Sequence, residues 1–161
     1  MKDDLQTLAA VLGGRLRDRG WSLVTAESCT GGWIAKTLTD VPGGSAWFDR
    51  GFVTYSNAAK TDMLGVEPET LHEHGAVSEA VVREMAVGAL ANSPADVSIA
   101  VSGIAGPGGG SPEKPVGTVW FAWAVPEREV DARCVRFDGD REQVRRAAVA
   151  LALRVLAEAV A

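Results

Sequence analysis

The sequence predicts an α/β protein: a single three-layer α/β/α domain over residues 1–161, with a mixed, mainly parallel sheet and an antiparallel hairpin at one side. Three observations predict it. Short apolar runs, Trp21-Ser22-Leu23-Val24 and Val97-Ser98-Ile99-Ala100-Val101, alternate with longer stretches of helical period. Both runs lead into loops rich in glycine and small residues. Residues 116–125 and 130–137 flank a turn at Pro126-Glu127-Arg128-Glu129, the pattern of a hairpin.

The elements follow in order. Leu5, Leu8, Leu12 and Leu16 recur at helical spacing, so a helix is expected over residues about 3–19, ended by Gly20. Residues 21–26 read as a buried strand. A helix after Gly31 runs to about Asp40, where Pro42-Gly43-Gly44 breaks it. Gly51-Phe52-Val53-Thr54-Tyr55 reads as a second strand, and Ser56 or Asn57 caps a short helix ending near Gly65. A helical turn is expected from Pro68 to His74. Ser78 caps a longer helix with Val82, Met85, Ala86 and Ala89 on one face. Residues 97–101 form the third strand. In the hairpin, Val119, Phe121, Trp123 and Val125 share a face. The last helix spans 141–160, with Val144, Ala148, Leu151 and Val155 as its core stripe.

Composition narrows the function. The 161 residues are 47% hydrophobic and 23% charged, near the globular average, so one core suffices and no large part need be disordered. A net charge of −5 argues against a general nucleic-acid binder, which needs a basic face. Cys29 and Cys134 form no CxxC pair, so reduced thiols are expected and a zinc site is not. Met1-Lys2-Asp3-Asp4 does not open a signal peptide, and no apolar run has membrane-spanning length.

Four stretches carry candidate chemistry. In Thr25-Ala26-Glu27-Ser28-Cys29-Thr30-Gly31-Gly32, an acid, hydroxyls, a thiol and two glycines sit where a strand hands over to a helix. In an open α/β sheet that handover faces the ligand crevice, and unpaired N–H groups there hold anions. The competing reading is a capped helix start, with Ser28 or Thr30 as N-cap. Cys29 reads as a small buried residue under the loop or as a thiol at a helix start.

Ser45, Tyr55 and Lys60 form the second group, side chains that could converge at one sheet edge. Serine is a poor nucleophile until a base takes its proton. Lysine is such a base where burial lowers its pKa, and a tyrosine hydroxyl can relay the proton. The ordinary alternative is a capping serine, a half-buried tyrosine and a solvated lysine. These three residues do not have Ser-x-x-Lys, Tyr-x-x-x-Lys or Gly-x-Ser-x-Gly spacing.

The loop after Val101 is the third. Ser102, Gly103, Gly106, Gly108, Gly109 and Gly110 let backbone amides approach a ligand, although neither a Walker A loop nor a dinucleotide fingerprint is present. The fourth is Arg141, Arg145 and Arg146 at the start of the last helix, where guanidinium and free amides can clamp a phosphate, or pair with Asp138, Asp140 or Glu142. His72 and His74 point two ways from one short helix and have no third ligand, and five scattered tryptophans look like core or pocket wall.

Together, Ala26-Glu27-Ser28-Cys29-Thr30-Gly31-Gly32, Gly51-Phe52-Val53-Thr54-Tyr55-Ser56-Asn57, His74-Gly75-Ala76-Val77-Ser78, Ser102-Gly103-Ile104-Ala105-Gly106-Pro107 and Lys114-Pro115-Val116-Gly117-Thr118-Val119 resemble the CinA C-terminal-domain family, over about residues 5–157. Its members are nicotinamide-nucleotide amidohydrolases. The resemblance implies a cytoplasmic bacterial hydrolase of pyridine-nucleotide salvage. It would turn nicotinamide mononucleotide and water into nicotinic acid mononucleotide and ammonia, with no metal and no cofactor.

By resemblance Ser45 is the nucleophile, Lys60 the base and Tyr55 a supporting hydroxyl. Ser28, Thr30, Gly31, Gly32, Ser102, Gly103 and Gly106 form the substrate pocket, and Arg141 and Arg145 meet the phosphate. The division of work between Ser45 and Ser28 stays open. The chain looks like the stand-alone form, without the N-terminal domain, similar to molybdopterin-binding proteins, that many relatives carry, so pyrophosphate cleavage is not expected. Neither nucleic acid nor membrane is an expected partner. A homo-oligomer, a dimer in the first instance, is. The alternative from another class is a non-catalytic nucleotide-binding or protein-interaction module, in keeping with the family's link to competence and DNA damage.

Overall fold

The computed structural model describes residues 4–161. The first helix, α1 (Leu5–Arg19), starts on Asp4, whose carboxylate accepts from the amides of Gln6 and Thr7. Residues 1–3, where the expected helix start falls, lie outside the described residues. Gly20 closes the helix in the left-handed region at φ 69°.

Five strands form one sheet: β1 (Leu23–Glu27), β2 (Phe48–Val53), β3 (Val97–Gly103), β4 (Thr118–Ala124) and β5 (Asp131–Arg136). Their spatial order is β2-β1-β3-β4-β5. The β2-β1-β3 half is parallel and β3-β4-β5 is antiparallel. β1 is buried along its whole length and β3 along all but its last residue, as strands covered by helices on each side must be.

One layer holds α1, α2 (Trp33–Thr39) and α6 (Arg141–Ala159). Leu12, Leu16, Ile34, Phe121, Leu153 and Leu156 are among the buried side chains of that layer's core. The other layer holds α3 (Asn57–Leu64), α4 (Pro68–His74) and α5 (Glu79–Ala91), around Val82, Met85, Ala86 and Leu64. No helix among the described residues is long and apolar enough to cross a membrane.

Several local expectations are corrected. β2 covers Phe48–Val53 and not residues 51–55, so Tyr55 lies beyond the strand. The cause is pairing: Leu23 to Glu27 of β1 run beside Phe48 to Val53, and the ladder ends when Thr54 N–H reaches the Glu27 carbonyl at 2.8 Å. Neither Ser28 nor Thr30 caps α2; Gly32 is its N-cap and gives no side-chain bond. Leu151 is half-buried, because the stripe of α6 is wider than expected and centres on Ala148, Ala152, Leu153 and Val155.

Candidate active site

The parallel strands aim their carboxyl ends at one crevice, where the chain leaves β1 for α2, β2 for α3 and β3 for the glycine-rich loop. A cavity of about 310 Å³ opens there. Ser28 and Cys29 supply one wall, Tyr55 and Lys60 a second, and Ala76 and Val77 a third. The backbone from Ser102 to Gly106, with Gly108 and Gly109, and the side chain of Arg141 complete it.

Lys60 lies at its base. It sits on the first turns of α3, which Ser56 caps through the Ala59 amide. Its side chain is 1% exposed. The amine donates to Ser28 Oγ at 2.8 Å, to the Thr54 carbonyl at 2.8 Å and to the Tyr55 carbonyl at 3.3 Å. Among the described residues, no carboxylate bonds to it. Burial therefore pushes its pKa down from the ordinary 10.5 to about 8. Next to Ser28, burial pushes the Cys29 thiol up to about 11, so it stays protonated and unreactive near neutrality.

The Ser28 turn is held from behind. Glu27, fully buried at the end of β1, accepts from Thr30 Oγ1 at 2.6 Å and from the amides of Ile34 at 2.9 Å and Ala35 at 3.0 Å. Arg145 donates to the carbonyls of Cys29 at 3.0 Å and Thr30 at 3.4 Å. Gly31, at φ 60°, lets that guanidinium approach; a Cβ there would sit 3.2 Å from it. At the mouth, Arg141 donates to the Gly106 carbonyl at 2.8 Å and to the Tyr55 hydroxyl at 3.3 Å. Asp140 and Gln143 form a capping box that fixes the first turn of α6 beneath Arg141.

The residues singled out from sequence thus divide. Ser28, Tyr55, Lys60, Ser102, Gly103, Gly106 and Arg141 line the cavity. Ser45 does not. It is exposed in the 3-10 turn Gly44–Ala46, just before β2, at the amino end of the sheet. Leu23 N–H bonds to the Trp47 carbonyl there, so the whole of β1 separates Ser45 from Ser28, about 16 Å of strand. Thr30, Gly31, Gly32 and Arg145 lie on the back of the turn, beside a separate shallow depression with Trp33 and Lys36. Arg145 bonds to the turn through Nε and Nη2 and does not line the cavity.

The sequence placed Glu27 at a strand-to-helix handover and Ala76-Val77 within a motif block, but gave neither a role in the site. The signal for Glu27 was its place as the one acid in an apolar strand, entering a turn. Nothing local to Ala76-Val77 announces contact with residues so distant in the chain.

A buried serine–lysine pair thus lies in a crevice with an arginine at its mouth. The chain belongs to the CinA family: the CinA C-terminal domain matches residues 5–160. It is 59% identical over 153 residues to nicotinamide-nucleotide amidohydrolase PncC of Escherichia coli (strain K12), covering 95% of this chain and 93% of that one. The crystal structure of competence/damage inducible protein CihA from Agrobacterium tumefaciens superposes with a TM-score of 0.94 at 48% identity, over 99% of this chain and 97% of that one. A CinA superfamily protein from Klebsiella pneumoniae 700603 does so with a TM-score of 0.94 at 44% identity, over 98% of each chain.

Proposed function

We propose that the chain is a nicotinamide-nucleotide amidohydrolase, converting nicotinamide mononucleotide and water to nicotinic acid mononucleotide and ammonia. Ser28 is the nucleophile and Lys60 its base. The observation that carries this reading is the 2.8 Å contact between the Lys60 amine and Ser28 Oγ at the floor of the cavity. The 59% identity to an enzyme of that name supports the choice of substrate.

The geometry supports a specific proton path. A neutral amine has two hydrogens and one lone pair. The carbonyls of Thr54 and Tyr55 take the hydrogens, which turns the lone pair to Ser28 Oγ. Ser28 attacks the carboxamide carbon and passes its proton to Lys60. The tetrahedral oxyanion needs donors. Ser28 N–H is bonded to the Val101 carbonyl and Gly31 N–H to the Ser28 carbonyl, so the amide of Cys29, in the cavity wall beside Ser28, is the donor for it. Lys60 returns the proton to nitrogen as ammonia departs, leaving an ester on Ser28. Water then attacks that ester as Lys60 takes its proton, and Lys60 hands the proton to Ser28 Oγ as the acyl–oxygen bond breaks, releasing the acid and restoring a neutral lysine.

Arg141 meets the phosphate at the mouth, with the Tyr55 hydroxyl beside it, so Tyr55 serves the phosphate end and not the proton relay. Anchoring there holds the carboxamide at Ser28. The reading includes a homo-oligomer in bacterial cytoplasm. Purified protein with nicotinamide mononucleotide and a chelator should release ammonia and the acid mononucleotide. Ser28→Ala should not. Tight binding of the nucleotide without ammonia release would replace this reading with the binding-module one.

A further inference from the structure

We propose that Glu27 is a positioning residue, whose buried carboxylate holds the Ser28 turn in register with Lys60. A carboxylate with no exposure is retained only where its oxygens are satisfied, and here they are. Oε1 accepts from the Thr30 hydroxyl and the Ile34 amide, and Oε2 from the Ala35 amide. These donors lie three, seven and eight residues ahead, so one side chain ties the start of the turn to its far end. It also meets the amino-terminal amides of α2, which the helix's own N-cap, Gly32, leaves without a side-chain partner.

Arg145 completes the arrangement from α6. Its bond to the Cys29 carbonyl turns that oxygen toward α6, and a trans peptide then turns the Thr30 N–H the opposite way. Glu27 contacts neither Lys60 nor the cavity, so its effect reaches the chemistry only through where it leaves Ser28. Glutamine has the same shape, but its amide nitrogen must face either the Thr30 hydroxyl or the Ala35 N–H, and it brings no charge to α2.

The proposed hydrolysis is needed only for the kinetic half of the test. Wild type, Glu27→Gln, Thr30→Val and Thr30→Ser are compared for kcat and KM on nicotinamide mononucleotide. They are also compared for the rate at which a fluorophosphonate labels Ser28, displacing fluoride, read by intact mass. Thermal melts confirm that each is folded. Glu27→Gln and Thr30→Val should lose about 100-fold in kcat and in labelling rate, with KM little changed, because Arg141 still anchors the phosphate. Thr30→Ser, which keeps the hydroxyl, should recover both.

A folded Glu27→Gln with wild-type kcat and labelling overturns the proposal, as does a rise in KM alone. If Glu27→Gln does not fold, equal labelling of Thr30→Val and Thr30→Ser overturns it. Labelling of wild-type Ser28 without ammonia release would remove the substrate assignment, and the labelling ratios would still decide the role of Glu27. No labelling of the wild type overturns both.

Discussion

The Lys60 amine stands 2.8 Å from Ser28 Oγ, and the two side chains reach each other from different layers of the chain's path: Ser28 from the end of β1, Lys60 from the first turns of α3. The pair exists only because β1 and β2 lie side by side and parallel.

Lys60 sets the pH dependence. It is the base when neutral, and burial holds its pKa at about 8. kcat/KM should therefore rise with pH and level off above about 8. A profile flat from pH 6 to 9 would take the proton-accepting role from Lys60.

The same residue should leave a mark on stability. Its folded pKa lies below the ordinary 10.5, so between about 8 and 10.5 the unfolded chain binds more protons and stability rises with pH. Below about 8 the lysine is charged in both states and its burial penalty is complete. Lys60→Met should lose turnover by about 10²–10⁴-fold. Measured by urea denaturation, its stability relative to wild type should be most favourable at pH 7 and decline toward pH 10.

Arg141 should separate phosphorylated from unphosphorylated substrates. Loss of a charge-assisted bond to phosphate is worth about 1.5–3 kcal/mol, or roughly 10- to 150-fold. Arg141→Met should raise KM for nicotinamide mononucleotide by that order and leave the poorer turnover of nicotinamide riboside unchanged. Equal losses on both substrates would place Arg141 elsewhere in the mechanism.

Ser45→Ala should behave as an exposed surface change, within about 0.5 kcal/mol in stability and with wild-type kcat. Steady-state kinetics decide it directly: loss of turnover would restore Ser45 to the reaction.

Gly88 offers a test of packing. Alanine is the better helix former by about 1 kcal/mol, so propensity alone favours Gly88→Ala in α5. A Cβ at that position runs into the Leu64 carbonyl at the end of α3, and backbone does not yield cheaply. Overpacking of about 1–3 kcal/mol should win, and the variant should unfold at lower denaturant than wild type.

The layers, the hairpin and the crevice were legible in the sequence because period and glycine punctuation are local signals. The partner of Lys60 was not. Ser45 follows a Gly-Gly turn and Ser28 follows a strand, and only the parallel pairing of β1 with β2 sets them at opposite ends of the sheet. Arg145 was legible as a cation near a helix start. Its target was not, because the carbonyls of Cys29 and Thr30 belong to a turn more than a hundred residues earlier. Motif blocks identify residues that are kept together, and they do not say whether a member faces the ligand or braces the residue that does.

Two of the three acceptors around the Lys60 amine are main-chain carbonyls, those of Thr54 and Tyr55. A point mutation rewrites side chains and leaves carbonyl oxygens in place. The orientation of the base is thus insulated from most genetic change at the two positions that enforce it. Drift at exposed Tyr55 can alter the rim while the proton-handling geometry is inherited intact, which gives one scaffold room to explore new nucleotides without surrendering its reaction.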